Sequence, residues 1–454
     1  MTFDLAAWQE RLDEMCATYH IPGASLAVLT DGTIHELASG VLNSATGVAV
    51  TTDSVFLSGS TAKVYTATLI MQLADAGKLD LDAPVVQILP EFATPDADAT
   101  QRITIRQLLS HTGGVTNDFN YDSGRGDDCL AKYVAAARTV PLDLPPGTAY
   151  SYGSLGYVVL GRIIEVVTGS TWDRALADMI FTPLGLQRSM TLPEQALRFR
   201  VAMGHTTGPN PEPASAWDVM PRSAGPYGRV IVSAADMVRL ARMHIDGGIA
   251  SDGTRLLSAE AVTAMQRRQI DTPDKWTMSA DGWGLGWALY DWDGITGYGH
   301  DGSAVTQHSY LRVVPSAGVA VALLINGGEF TRLYSTLVGR LLTELAGVRM
   351  PAPFAPPANP PAVDMQALVG VYQREGVRIT VDDSDGPARI RYEFIDGMKG
   401  LAPAFETTLT PVSDTVFAAT GGPDGEDYTP VVFAITADGT PCVYVSMRAT
   451  PKIA

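Results

Sequence analysis

The 454-residue chain has few cysteines, and acidic residues outnumber basic ones. Its three cysteines, Cys16, Cys129 and Cys442, lie far apart and form no CxxC or Cys/His pattern. This spacing argues against a disulfide framework and against a zinc site. Lysine and arginine total 32 against 49 acidic residues, a net charge of −17. Such a balance argues against nucleic acid and anionic membranes as partners, and no cofactor or metal is expected.

The chain also lacks apolar runs of membrane-spanning length. The longest, near residues 155–168 and 313–325, are too short or too interrupted to cross a bilayer. The N-terminal stretch has no basic and apolar signal-peptide regions, and residues 4–18 have the pattern of an amphipathic helix. Together with unpaired thiols, which are typical of reducing compartments, these absences predict a cytoplasmic protein without membrane contact.

A proline-rich segment divides the chain. Residues 350–361 contain six prolines, a composition typical of a stiff, extended linker. We therefore predict one domain over residues 1–349, a linker over 350–362 and a second domain over 363–454. Beyond the linker, short β-prone runs between turn residues predict a small all-β antiparallel barrel. These runs are residues 377–381, 388–394, 406–410, 415–418, 430–435 and 442–447.

The first domain has strand patterns at both ends and helical patterns between them. Residues 23–41 predict a hairpin, and residues 309–314 and 319–325 predict another strand pair. Helical periodicity covers the residues after Ser60 to about Ala76, among other segments. The prediction is a mixed α/β fold of the α+β kind, with an antiparallel sheet flanked by helices and a helical subdomain.

Ser60 and Lys63 form the only Ser-x-x-Lys pattern in a chain with six lysines. If a helix begins at Ser60, its first turn places both side chains on one face. A lysine that desolvation keeps neutral can take the proton of a serine and make it a nucleophile. The structural alternative is an N-capping serine followed by a solvated lysine.

Two later stretches carry groups that could serve this pair. Tyr152-Gly153-Ser154 opens a helix and places a phenol near a hydroxyl, although buried tyrosines often only pack. His300-Asp301-Gly302-Ser303 precedes a strand pair and could present an imidazole and backbone N–H groups to a cleft. A histidine in a glycine-rich turn is more often structural, and we interpret His111 in that way.

Taken together, the three motifs resemble those of the penicillin-recognising serine enzymes. The resemblance is to the branch of class C β-lactamases, esterases and D-aminopeptidases, and it covers about residues 10–345. It implies a β-lactamase/transpeptidase-like fold and an acyl-enzyme at Ser60. It also implies that Lys63 and Tyr152 activate the serine, and which of the two is the base stays open. The C-terminal part resembles the lipocalin-like barrels that some members carry.

The resemblance also implies that His300 is the fourth catalytic residue, and it indicates oxyanion and substrate-binding positions. It implies that His300 lines the wall opposite Tyr152 and that the N–H groups of Ser60 and Ser303 form an oxyanion hole. The remaining candidate substrate-binding positions are Gly302, Ser154, which stands where the family often has asparagine, and His308. His308, near the start of the following strand, could face the cleft, and the alternative is a structural histidine.

The expected substrate follows from charge. His300 stands where a lysine would attract a penicillin carboxylate, and its neighbour Asp301 is acidic. We expect cleavage of ester or amide bonds in small acyl or peptide substrates, preferably uncharged or amine-bearing, with weak activity on β-lactams. A D-aminopeptidase or a penicillin-binding-protein-type thioesterase that cyclises peptides is the alternative, and a non-catalytic binding protein is another. A homo-oligomer is compatible with the sequence, and residues 363–454 show no catalytic pattern.

Overall fold

Strands from both ends of the first domain form one sheet in the computed structural model, which describes residues 3–117, 119–384, 386–421 and 427–454. The α-helices are α1 (Leu5–Thr18), α2 (Ala62–Asp75), α3 (Ala97–Arg102), α4 (Ile105–Leu109), α5 (Cys129–Ala136), α6 (Leu155–Thr168), α7 (Trp172–Leu176), α8 (Pro193–Ala196), α9 (Gly225–Gly228), α10 (Ala234–Ile245), α11 (Ala259–Gln266) and α12 (Phe330–Ala346). The strands of the first domain are β1 (Gly23–Thr30), β2 (Thr33–Asn43), β3 (Val48–Ala49), β4 (Phe56–Leu57), β5 (Ser189–Met190), β6 (Ile231–Val232), β7 (Ile270–Asp271), β8 (Gly282–Trp283), β9 (Ala288–Trp292), β10 (Ile295–Ala304), β11 (Gln307–Val314) and β12 (Val319–Ile325).

The main sheet is antiparallel, with the strand order β3-β2-β1-β12-β11-β10-β9-β8-β7. Because β1 pairs with β12, the two ends of the domain meet at the centre of the sheet. This pairing confirms the predicted mixed fold. A separate small sheet, β4-β6-β5, lies beside residues 58–61, the turn that carries the candidate nucleophile Ser60 and is called the nucleophile turn below.

Helices cover both faces of the sheet, and β1 shows why. Its eight residues are all buried, and alternate side chains of a strand point to opposite faces. Leu26 and Val28 join the core beneath α1 and α12. Ala27 and Leu29 join the core that holds α2, α6 and α10. A strand that is apolar on both faces therefore lies between two helical layers.

Helix α2 is central and buried nearly all round, as predicted. The helix begins at Ala62, because Gly59–Thr61 forms a 3₁₀ turn in front of it. It ends at Asp75, and Gly77 follows in the left-handed conformation with φ of +66°. Ser60 is therefore held in a tight turn before the helix, while Lys63 lies in the first helical turn.

The C-terminal strands form an antiparallel barrel that is nearly closed. They are β13 (Gly370–Arg374), β14 (Val377–Asp382), β15 (Arg389–Phe394), β16 (Phe405–Pro411), β17 (Val416–Thr420), β18 (Tyr428–Ile435), β19 (Pro441–Val445) and β20 (Arg448–Pro451). Each strand pairs with the next, and Tyr372 bridges to Lys452 to bring the two ends together. The sequence prediction missed β13 and β20. A two-residue turn, Ser446-Met447, joins β19 to β20, and both residues have positive φ without the Asn-Gly signature of such turns.

The barrel packs against the first domain through an apolar contact. Leu144 and Ala149 join one buried cluster with barrel residues.

Residues 350–361 contain neither helix nor strand. Cys16, Cys129 and Cys442 are buried free thiols. Within the described ranges, no helix combines the length and apolarity needed to cross a membrane.

Candidate active site

Two glycines let strand β10 approach the turn that carries Ser60. Gly59 has φ of +54°, and a Cβ on it would lie 2.4 Å from the backbone nitrogen of Ser303. A Cβ on Gly302 would lie 1.9 Å from the carbonyl oxygen of Ser58 and 2.9 Å from the nitrogen of Ser60. Neither position can hold a side chain without moving backbone atoms. The fold thus brings the first and third sequence motifs into direct backbone contact.

Strand β11, which pairs with β10, also holds this turn. The Ser309 hydroxyl donates to the Ser58 carbonyl at 2.6 Å and lies 2.7 Å from the Thr61 hydroxyl. The Gln307 side chain accepts a 3.0 Å hydrogen bond from the Leu57 N–H. Sequence reasoning missed Ser309 and Gln307. Their position on a predicted strand beside the third motif was the available signal.

Lys63 is fully buried and surrounded by neutral groups. Its Nζ lies 3.3 Å from Ser60 Oγ, 3.5 Å from Ser154 Oγ and 3.1 Å from the carbonyl oxygen of Tyr227. Three aromatic rings lie within 4.7 to 5.6 Å of the same nitrogen, those of Tyr152, Tyr227 and Tyr157. The first turn of α2 therefore aims the amine directly at the candidate nucleophile.

Burial sets the charge of Lys63. It lowers the pKa of this amine well below the ordinary value, and the positive charge of Arg448 lowers the pKa further. The rings and the Tyr227 carbonyl favour the ammonium form, but the lost hydration of a completely buried cation outweighs them. The arrangement favours a neutral amine next to the Ser60 hydroxyl.

Tyr152 is the second group beside Ser60, and its pKa is shifted in the opposite direction. Burial raises the pKa of its phenol, although its hydrogen bond with Ser60 and the charge of Arg448 act in the other direction. A neutral phenol that contacts the serine oxygen can donate a hydrogen bond or a proton. Of the two neighbours of Ser60, Lys63 therefore tends to lose its proton, whereas Tyr152 tends to keep it.

Ser154 links Lys63 to a residue that sequence reasoning did not single out. Its hydroxyl donates to Asn117 Oδ1 at 3.0 Å. The intervening Gly153 donates its N–H to His111 Nδ1 at 3.2 Å. His111 thus supports the backbone of the second motif, in line with its structural interpretation.

His300 and Asp301 point in opposite directions because they are neighbours on strand β10. His300 is completely buried, and its Nδ1 lies 2.6 Å from the carbonyl oxygen of Asp301. Burial lowers the pKa of His300 to about 3, so its ring is neutral. The Asp301 carboxylate instead forms an ion pair with Arg312, a buried residue of the neighbouring strand.

The expectation that His308 faces the cleft does not hold. Its ring stacks on Phe330 of α12, with the ring centroids 3.4 Å apart. The next residue, Ser309, contacts the nucleophile turn, so His308 lies on the other face of β11. Ser303 pairs with His308, and its backbone approaches Gly59 while its side chain is exposed. His308 is therefore a packing residue under α12.

The barrel inserts the tip of its last hairpin beside Tyr152. The Met447 carbonyl accepts a 3.1 Å hydrogen bond from the Tyr152 N–H, and the Met447 N–H donates to Asp274 Oδ2 at 2.8 Å. The Ala449 N–H donates to the Ser151 hydroxyl at 3.2 Å. These contacts place the guanidinium of Arg448 5.6 Å from the centre of the Tyr152 ring.

This hairpin is absent from the sequence prediction, which found no catalytic pattern in residues 363–454. Arg448 and Tyr152 lie in different domains, and no local motif connects them. The available signal was limited to a short β-prone run ending in an arginine. The site is thus composed of groups from both domains.

Comparisons with known proteins agree with this geometry. The β-lactamase family model matches residues 8–340. Penicillin-binding protein 4 of Amycolatopsis lactamdurans is 60% identical over 378 residues, which are 83% of this chain and 99% of that protein. The match accounts for most of the chain and nearly all of the relative.

Solved structures extend the similarity over the barrel. The crystal structure of SurE is 30% identical, covers 99% of both chains and has a TM-score of 0.80. SurE with D-Leu gives the same identity and a TM-score of 0.77. An octameric penicillin-binding protein homologue from Pyrococcus abyssi, 21% identical with a TM-score of 0.65, covers 99% of this chain and 100% of its own and shares the fold. The chain belongs to the β-lactamase family of serine hydrolases and penicillin-binding proteins.

Proposed function

We propose that this chain is an acyl-transferring serine enzyme that forms an acyl-enzyme at Ser60. The observation that carries the proposal is the fully buried Lys63 amine, 3.3 Å from Ser60 Oγ and with a lowered pKa. A neutral amine in hydrogen-bond contact with a hydroxyl can act as its general base. Lys63 is accordingly the base in this proposal, because the pKa of Tyr152 is raised instead.

In the proposed acylation, one proton is transferred in net terms from Ser60 to the leaving group. The acyl group forms a bond to Ser60 Oγ and loses its bond to the leaving group. Ser60 Oγ attacks the acyl carbonyl while its proton passes to Lys63 Nζ. The backbone N–H groups of Ser60 and Ser303 hold the oxyanion, and Gly302 lets them come close. The bond to the leaving group then breaks as the leaving group takes a proton from Tyr152, which Lys63 reprotonates. Water or an amine finally attacks the acyl carbonyl and gives up a proton. The bond to Ser60 Oγ breaks, and Ser60 takes up that proton.

The charge at the site favours a different donor from the one that the sequence predicts. Asp301 faces away and is ion-paired with Arg312, so it gives no support to an amine-bearing substrate. Arg448 is the cation beside Tyr152, and a guanidinium suits a carboxylate or a polarised carbonyl oxygen. The proposed donor is therefore an acyl compound that carries a carboxylate or carbonyl oxygens at the end facing Arg448.

We further propose that the acyl donor is a peptide and that the acyl group transferred to Ser60 belongs to a D-amino acid residue. Support comes from the SurE structure with D-Leu, which resembles this chain over 99% of both lengths, barrel included. His300 is neutral, so the third motif offers no cation to the carboxylate of a penicillin. Turnover of β-lactams should accordingly be slow.

Intact-mass measurement after treatment with a fluorophosphonate probe tests the nucleophile. We expect one adduct on the wild-type protein and none on the Ser60→Ala variant. Ser58→Ala is a matched control, because its buried hydroxyl donates to the carbonyl of Val230. A folded wild-type protein without an adduct would refute the proposal and leave the non-catalytic binding protein.

A substrate panel tests the donor. It contains p-nitrophenyl esters, D- and L-aminoacyl anilides, peptidyl thioesters and nitrocefin. We expect D-residues to exceed L-residues at least tenfold in kcat/KM. Linear products from the thioesters would identify a hydrolase, whereas cyclic products would identify transfer to an amine. Nitrocefin turnover at the rate of a dedicated β-lactamase would contradict the donor assignment.

A further inference from the structure

A short segment after α4 brings Asn117 to the second motif. We propose that Asn117 is a positioning residue for Lys63 and that it acts through the hydroxyl of Ser154. The inference rests on the proposed function, because it concerns the proton acceptor of Ser60. It adds a residue outside the three motifs to the proposed machinery.

The number of protons on a neutral amine limits the hydrogen bonds that it can donate. Such a nitrogen has two N–H groups and one lone pair. The Tyr227 carbonyl, 3.1 Å away, accepts one N–H. Ser154 Oγ, 3.5 Å away, accepts the second. The lone pair then remains for the proton of Ser60, whose oxygen lies 3.3 Å from Nζ. The base works only if Ser154 acts as an acceptor.

Asn117 fixes that role. A serine hydroxyl has a single proton, and Ser154 gives it to Asn117 Oδ1 at 3.0 Å. Its lone pairs are then directed at Lys63. Without this acceptor, the Ser154 hydroxyl can turn and donate to the lone pair of Lys63, in competition with Ser60. Asn117 thus keeps the amine available as a base.

The backbone places Asn117 through two close approaches. Gly114 has φ of +72°, and a Cβ on it would lie 2.0 Å from the Leu144 carbonyl oxygen. A Cβ on Gly153 would lie 3.1 Å from the Val115 carbonyl oxygen. The segment is therefore packed directly against the second motif, where a Cβ on Gly153 would need its neighbours to shift.

The barrel also holds this segment. The Asp143 N–H donates to the Gly114 carbonyl at 2.9 Å. The Asp143 carboxyl group forms hydrogen bonds with the Thr116 hydroxyl and with the backbone N–H of Glu375, a barrel residue. Asn117 follows Thr116 directly, so a contact between the domains supports its position.

The test is the pH dependence of the rate at which a fluorophosphonate labels Ser60. Asn117→Asp keeps the acceptor and adds a negative charge, which raises the pKa of Lys63. The acid limb should move about one unit to higher pH. Asn117→Leu removes the acceptor and should slow labelling about tenfold or more. The matched control is Asn120→Asp, which adds the same charge at an exposed position three residues away and should leave the profile unchanged.

A double variant checks that Asn117 acts through Ser154. The double variant Asn117→Leu/Ser154→Ala should be labelled no more slowly at Ser60 than the single variant Ser154→Ala. An Asn117→Asp profile equal to the wild type, or losses that multiply in the double variant, would overturn the inference. Failure of the proposed function is distinguishable, because the wild-type protein would then carry no label at Ser60. Asn117→Asp is close in shape to the native residue, so it still gives a result if Asn117→Leu does not fold.

Discussion

The first turn of α2 and the tip of the barrel hairpin reach the same site in different ways. Ser60 and Lys63 are three residues apart, and the backbone of one turn sets their distance. Arg448 comes from another domain and depends on hydrogen bonds of Met447 and Ala449 to the first domain. The nucleophile and the base that we propose are thus local to one turn, whereas the charge beside them depends on domain docking. The two regions should respond differently to substitution.

Removal of the amine should have the largest effect. We expect Lys63→Met to slow labelling of Ser60 by about three orders of magnitude, because general base catalysis contributes that much. Rates measured against fluorophosphonate concentration give the effect. Lys78→Met, at an exposed position just after α2, is the control. A loss below tenfold would assign the base to another group.

Removal of the buried hairpin side chain should come next. Met447 is 2% exposed and packs with Tyr150, Tyr152 and Trp283. Met447→Ala should cost about 2–4 kcal/mol in the free energy of unfolding, because it leaves a cavity. Urea denaturation measures this value, with the partly exposed Met398→Ala as the control. An unchanged midpoint would show that the hairpin tip contributes little to stability.

Removal of the hairpin charge should have a moderate effect on activity. Arg448 lowers the pKa of Lys63, so Arg448→Gln should raise it and move the acid limb of the labelling rate to higher pH. The labelling rate at pH 7 should fall about tenfold if the acid limb moves by one unit. Lys399→Gln removes an exposed barrel charge and should change neither value. A profile that stays in place would separate Arg448 from the amine.

The last effect, a pH dependence of stability, is expected at the contact between the domains. Burial raises the pKa of Asp143 from 3.8 to about 8. A raised pKa means that the folded state holds the proton more tightly, so stability decreases as pH rises from about 4 to 8. Asp143→Asn should remove this dependence. The difference in melting temperature, variant minus wild type, should be larger at pH 8.5 than at pH 6. An equal difference at both pH values would contradict the raised pKa.

The sequence predicted the parts of the fold and site that depend on local patterns. The strand pairs at both ends of the first domain, helix α2 and most barrel strands were found, and the residues of the three motifs do meet. The prediction for His308 was wrong because one residue of register decides which face of a strand a side chain occupies. The same alternation turns Asp301 toward Arg312 and away from His300.

Other residues could not be found because no local signal marks them. Asn117 depends on a segment that packs against Gly153, and Arg448 depends on the docking of a second domain. Ser446 and Met447 form a tight turn with residues that are unusual in one. In each case, tertiary contacts override the weak local preference.

The place of the hairpin in the chain has a consequence for synthesis. Ala449 donates to Ser151, 298 residues earlier. A ribosome that adds roughly 5–20 residues per second makes these two residues about 15–60 s apart. The first domain therefore leaves the ribosome with its serine, lysine and tyrosine present but without the arginine and the backbone partner of Tyr152. The nascent chain carries an incomplete site until the last barrel strand is made.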